Sequence, residues 1–240
     1  MRSTLLLFPL LLTSLLQAQT TAPRTAAPKE PELTWHPVGT GEWDVEGRAW
    51  TDETRLRYFD RLPASAEATV PPAVWGLSRD SAGMVTRFKT DADTIWVDYK
   101  LKSERIGMPR MPATGVSGVD LYARDEEDGG KWKWVQVTKP ATQTVRAALI
   151  TGLRPGLREY AAFLPLYNGI ETLSIGVPPG ARFESLKPRA DKPVVFYGTS
   201  ITHGASASRP GMVHSAILGR RLDLPVINLG FSGNGKMDTS

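Results

Sequence analysis

The residues best suited to chemistry lie near the end of this 240-residue chain. Ser200 stands in Gly198-Thr199-Ser200, three residues past Tyr197, and Gly233 stands in Gly230-Phe231-Ser232-Gly233. Each turn follows a short apolar run, Pro193–Tyr197 in one case and Pro225–Leu229 in the other. A hydroxyl next to backbone N–H groups left open by small residues supplies a nucleophile and a place to hold a developing oxyanion. Taken alone, Gly-Thr-Ser after a strand is also an ordinary turn whose hydroxyl caps a helix. A serine needs a base at neutral pH, and the only histidines in this region are His203 and His214, with His36 far upstream. His203 is close in sequence, but no carboxylate is in view to fix its tautomer, so it reads as a loop histidine at a pocket edge. His214 reads as a packing or surface residue on a helix.

A second chemistry competes for the same residues. Gly230 to Lys236 fits the first seven positions of a phosphate-binding loop, G-x-x-x-x-G-K, but the eighth is Met237. Methionine has no hydroxyl to hold magnesium, which counts against a nucleotide site. The absence of cysteine excludes thiol redox chemistry and thiolate zinc sites. A formal net charge of +4, with no clustered Lys/Arg stripe, argues against nucleic acid as a partner.

The elements that must carry the two turns form one β-α-β unit. The two apolar runs read as parallel strands buried on both faces. Gly211–Leu222 reads as the helix between them, with Val213, Ala216 and Ile217 on one side and Arg220 and Arg221 in its last turn. In open α/β sheets functional groups gather at the carboxyl ends of the strands, which is where both turns fall. A lone unit of this kind leaves sheet faces and edges open, so it needs a covering domain or further chain.

Upstream, from Leu33 to about Leu186, the pattern is that of a β domain. In Thr94–Leu101, Ile95, Val97, Tyr99 and Leu101 alternate with Trp96, Asp98 and Lys100. Gly118–Arg124 and Lys131–Val137 read as a hairpin closed by Asp125–Gly130, and Thr144–Ile150, Glu159–Leu164 and Thr172–Val177 read as further strands. Strands at this spacing without helical periodicity indicate a sandwich or jelly roll. Trp132 and Trp134, two apart, share a strand face that suits hairpin packing first and a sugar platform second. At the front, Arg2, the run Leu5–Leu16 and Ala18 read as an export signal over residues 1–18, too short to span a membrane. Residues 19–32, mostly Thr, Ala and Pro, read as a linker.

Three of these segments together resemble the SGNH (GDSL-type) hydrolases. Gly198-Thr199-Ser200-Ile201-Thr202 is similar to the family's first block, whose serine is the nucleophile. Asn228-Leu229-Gly230-Phe231-Ser232-Gly233 is similar to the second, whose last glycine lends an oxyanion-hole N–H. Gly118-Val119-Asp120-Leu121-Tyr122 is similar to the signature of a β domain attached to bacterial members. The resemblance implies a β-sandwich over residues 33–187, then the opening β-α-β of a flavodoxin-like hydrolase domain over 188–240. It implies catalytic roles for Ser200 and Gly233, and hydrolysis of carboxylic esters, acetylated carbohydrates among them, without metal or cofactor. The family's third-block asparagine and late aspartate and histidine have no counterpart here, so the expectation is a front part of the enzyme, nearly inactive by itself. Asp120 and Tyr122 are expected to serve strand pairing and packing rather than substrate contact. A non-catalytic carbohydrate-binding module is the reading from another class.

Overall fold

The computed structural model describes residues 30–41 and 43–237. The expected export signal, and all but the end of the expected linker, lie outside the described residues. The strands are β1 (Thr34–Pro37), β2 (Val85–Thr90), β3 (Ile95–Leu101), β4 (Asp120–Asp125), β5 (Lys131–Val137), β6 (Thr144–Ile150), β7 (Arg158–Phe163), β8 (Ile170–Val177), β9 (Phe183–Ser185), β10 (Val194–Gly198) and β11 (Val226–Gly230). The helices are α1 (Pro72–Ser78), α2 (Ala113–Val116), α3 (Ser200–His203) and α4 (His214–Leu222).

Period-two alternation gives each strand one apolar face, and two such faces must be brought together to leave water. β1-β8-β3-β6 form one antiparallel sheet and β5-β4-β7-β2-β9 the other. Val97, Tyr99 and Ile175 from the first sheet and Phe88, Leu121 and Tyr160 from the second meet in the core, all fully buried. Each such side chain contributes about 1.5–3 kcal/mol by leaving water. This is the sandwich expected from the sequence. Three of its strands carried no clear signal. β1 and β9 are short, and β2 buries Thr86 and Thr90 beside Phe88, so hydroxyl-bearing residues occupy core positions where periodicity looks for hydrocarbon.

β10 and β11 pair in parallel, with Val194 opposite Val226 and Gly198 opposite Gly230. Here the structure corrects the sequence reading. β10 is not buried on both faces: Val195 is 54% and Tyr197 42% exposed. The face bearing Phe196 packs on α4 through His214, while the opposite face is open among the described residues. From Glu32 onward the described residues form one compact unit, so the pair sits against the sandwich rather than apart from it. The chain between β9 and β10 is tied down by Glu46, which accepts from Arg189 Nη2 at 2.7 Å and Arg87 Nη1 at 2.9 Å. Burial alone would raise Glu46, but the two guanidiniums bring it below the usual carboxylate range.

Tyr99 shows how the sandwich satisfies polar atoms in its core. Its hydroxyl donates to Ser117 O at 3.0 Å and meets Thr138 Oγ1 at 2.8 Å, which in turn accepts from the Val119 N–H. Tyr99→Phe keeps the ring and strands those partners. We expect a loss of about 1–2 kcal/mol in urea unfolding; an unchanged midpoint would show that the hydroxyl contributes nothing.

Candidate active site

The Gly118–Tyr122 segment is where sandwich and α/β segment are joined. Asp120, at the start of β4, is fully buried. Its Oδ2 accepts from the Gly211 N–H at 2.8 Å and lies 3.6 Å from Arg209 Nε, and its Oδ1 accepts from Trp134 Nε1 at 2.9 Å. Burial pushes the carboxyl up to about 6, and the surrounding donors and arginines pull against that rise. Two residues on, the Tyr122 ring lies so close to Gly211 that any Cβ there would overlap it, and the Arg220 guanidinium covers the ring at 3.9 Å. Strand pairing was the expected role of Asp120 and Tyr122. They do pair in β4, but their side chains seat the turn that leads into α4. Trp132 and Trp134 lie under Arg124 and Arg209, with guanidinium-to-ring distances of 4.7 and 4.6 Å.

A second tie reaches the other turn. Arg61, in a loop of the sandwich, is 1% exposed. Its Nη1 donates to Asn228 O at 3.1 Å and Gly230 O at 2.8 Å, its Nε to Asp80 O at 3.0 Å, and its Nη2 to Leu77 O at 2.7 Å. The carbonyl end of β11 is therefore held by a cation 167 residues away in the chain. Burial lowers Arg61 to about 10, so it stays charged at neutral pH. Sequence reasoning missed it, and nothing local marks an isolated loop arginine.

Between these ties the two glycine-rich turns meet. Phe231 N–H donates to Gly198 O at 2.8 Å, and Gly235 lies so close to Gly198 that it has no room for a Cβ. Ser200 opens α3 after Thr199, and its carbonyl accepts from Gly204 N, Ala205 N and Tyr167 Oη at 3.0, 2.8 and 3.4 Å. Gly233 sits on the exposed turn with φ +73°. Among the described residues, the N–H groups of Ser200 and Gly233 meet no acceptor. Around Gly233 most of the other amides are occupied. Gly230 N–H bonds Asn228 Oδ1, Ser232 N–H bonds His203 Nδ1, and Asn234 and Gly235 both bond Phe231 O. With the amides of Gly230, Phe231, Ser232, Asn234 and Gly235 spent internally, the loop has few left to wrap a phosphate, which counts against the nucleotide reading.

His203 is not at a pocket edge. It is fully buried, stacks on Tyr167 at 4.1 Å between ring centroids, and has Nε2 2.7 Å from Leu166 O. With Nδ1 accepting from Ser232 N–H, Nε2 must carry the proton and donate to Leu166 O. Burial, reinforced by the charge of Arg61, drives its pKa well below the ordinary value, so it is neutral. Both nitrogens are engaged in bracing the second turn, and neither serves Ser200. Among the described residues no imidazole or carboxylate is hydrogen-bonded to the Ser200 hydroxyl, and no group of His, Asp or Glu is arranged to hold a metal ion. His214 lies exposed on α4 and His36 stacks on Phe183.

Residues 33–183 match the family model GxDLY, the N-terminal part of SGNH-hydrolase-type esterases. The chain belongs to the SGNH hydrolase family. Residues 191–240 match the GDSL-like lipase/acylhydrolase family. A solved structure from Bacteroides ovatus, described as a GDSL-like lipase, is 34% identical with a TM-score of 0.79. The match covers 86% of this chain and 59% of that one, so the chain spans well under two thirds of that relative. A salicylyl-acyltransferase from a tetracycline biosynthetic pathway matches at 17% identity and TM-score 0.61, over 85% of this chain and 55% of that one, a likeness of fold. None of the curated proteins gives a match.

Two predictions test the seam. Asp120→Ala strands the buried Gly211 amide and takes a partner from the Trp134 indole N–H and the partly buried Arg209, and should cost about 2 kcal/mol in chemical unfolding; a loss below about 0.5 kcal/mol would remove the carboxylate from this role. His203 has its ordinary value of 6.5 when unfolded and is held neutral in the fold. The unfolded chain therefore binds one more proton below pH 6.5, and stability is lost as pH falls, by up to about 1.4 kcal/mol per pH unit. Asp120, raised in the fold, acts with the opposite sign between its unfolded value and about 6. The comparison with His203→Gln isolates the imidazole: the wild-type advantage should shrink steadily below pH 6.5, and parallel curves would contradict a buried neutral histidine.

Proposed function

We propose that Ser200 is the nucleophile of carboxylic-ester hydrolysis and that the N–H groups of Ser200 and Gly233 form the oxyanion hole. The observation that carries this is the junction of the two turns. The register that sets Gly198 opposite Gly230 brings Ser200 and Gly233 onto adjacent loops; the Gly233 amide is left open while those of Ser232, Asn234 and Gly235 are bonded, and the Ser200 amide is open as a first-turn amide of α3. In this reading Ser200 Oγ attacks the ester carbonyl carbon and the carbonyl oxygen takes the negative charge under the two amides. The alcohol leaves, and water then releases the acid from the acyl-serine. A serine needs a general base for both steps, and that role falls to residues outside those described.

Membership in a family of ester hydrolases supports the reaction class. Acetylated carbohydrate as substrate belongs to the proposal through the sequence resemblance, and export directed by residues 1–18 through the charge, apolar run and small residue at Arg2, Leu5–Leu16 and Ala18. For the rival reading, a non-catalytic sugar-binding module, an arginine already lies over one face of each of Trp132 and Trp134, which leaves the exposed side of Trp134 as its remaining support.

The test uses the protein translated from its full coding region, assayed with p-nitrophenyl acetate and with acetylated xylan. Ser200→Ala should lower kcat by about 10⁴-fold or more. Hydrolysis that survives this substitution would move the nucleophile elsewhere, and N-terminal sequencing of culture-supernatant protein would report whether cleavage occurs near Ala18.

A further inference from the structure

Beside the two turns lies a groove of about 410 Å³ that the reaction described above does not use. Its walls come from both layers. The sandwich supplies Met108, Pro109, Met111 and Tyr167, and the α/β segment supplies Ala205 and Ser232. Three of these touch the proposed reaction centre through the backbone. Tyr167 Oη and Ala205 N both donate to the Ser200 carbonyl, and Ser232 adjoins Gly233. A group held in the groove is thus held next to the Ser200 peptide.

The groove is apolar and already formed. Met108 and Met111 exchange both backbone hydrogen bonds at 3.0 Å, which fixes the turn between them, and Met111 is 4% exposed. Tyr167 is clamped against His203, itself locked at both nitrogens. Among the described residues the one charged side chain lining the groove is Arg110, which is exposed. Thioethers adapt their shape to varied hydrocarbon and offer a sugar hydroxyl no strong partner. An acetyl methyl, at about 30 Å³ for a water-sized group, would fill under a tenth of this volume.

We infer that the groove binds an apolar chain or aryl group of about four to eight carbons joined to the scissile ester, and that Met108 and Met111 set its preferred length. The inference rests on Ser200 as the reaction centre, and it favours an ester with an apolar substituent larger than acetyl over the acetylated carbohydrate named above. Each methylene drawn into the groove should raise kcat/KM about three- to fourfold until the groove is filled.

Two measurements separate the groove from the chemistry. In protein labelled with [methyl-¹³C]methionine, titration with 2-octanone, which Ser200 cannot hydrolyse, should shift the Met108 and Met111 methyl signals and leave Met84 in place, while acetone shifts none. In the full-coding-region protein, p-nitrophenyl esters from acetate to octanoate and alkyl acetates from methyl to hexyl then report which side of the ester enters. A climb along the acyl series assigns the groove to the acid part, and a climb along the alkyl series assigns it to the alcohol. In either case Met108→Trp and Met108→Ala should change the hexyl-to-methyl or hexanoate-to-acetate ratio by about tenfold, in opposite directions. Methyl signals that stay still under 2-octanone, or rates flat along both series, overturn the inference. Shifted signals without any ester hydrolysis keep the groove as an apolar site and overturn the role of Ser200 instead.

Discussion

Asp120 has no water around it, and a carboxylate there without donors would be expelled at a cost of several kcal/mol. Its acceptance of the Gly211 N–H is therefore a condition on the whole molecule. The turn before α4 must stand at one place against β4, with Trp134 and Arg209 closing the remaining directions. Gly211 and Tyr122 fit the same constraint sterically, since the ring fills the space where a side chain would be. What the sequence presents as a strand motif is physically a socket.

Arg61 applies the same logic with the opposite charge. Its guanidinium is spent on four backbone carbonyls, two of them at the end of β11, and it stacks on Phe231 at 4.9 Å. A cation so placed tolerates little displacement of the strand end, because each shift leaves a buried carbonyl or N–H unpaired. His203 and Tyr167 continue the bracing to the turn of Ser232 and to the Ser200 carbonyl. The geometry of the candidate site is thus set from the sandwich side as much as by the β-α-β segment that carries the serine. This is also why a short parallel pair with an open outer face holds its shape here.

The parts legible from the sequence were those written in local pattern. Strands β3 through β8 follow from period-two alternation and turn residues, and the β10-α4-β11 order follows from apolar runs and a helical stripe. β2 escaped because threonine fills core positions, and β10 was misread because a continuous apolar run does not say how many of its faces are covered. His203 was placed at a pocket edge because its nearness to Ser200 in sequence is visible, whereas its burial against Leu166 and Tyr167 is not.

By itself, then, the sequence determined the order of elements, the two glycine-rich turns after parallel strands, the placement of Ser200 and Gly233 on them, and the family resemblance. Those features depend on residues within one turn or one strand of each other, where sterics and periodicity act directly. Only the tertiary structure decided that Asp120 is a socket and Arg61 a clamp, that His203 is neutral and engaged, and that a methionine-lined groove adjoins the serine. Each of these is a contact between segments tens of residues apart or more, and its energy comes from burial that exists only once the layers have closed.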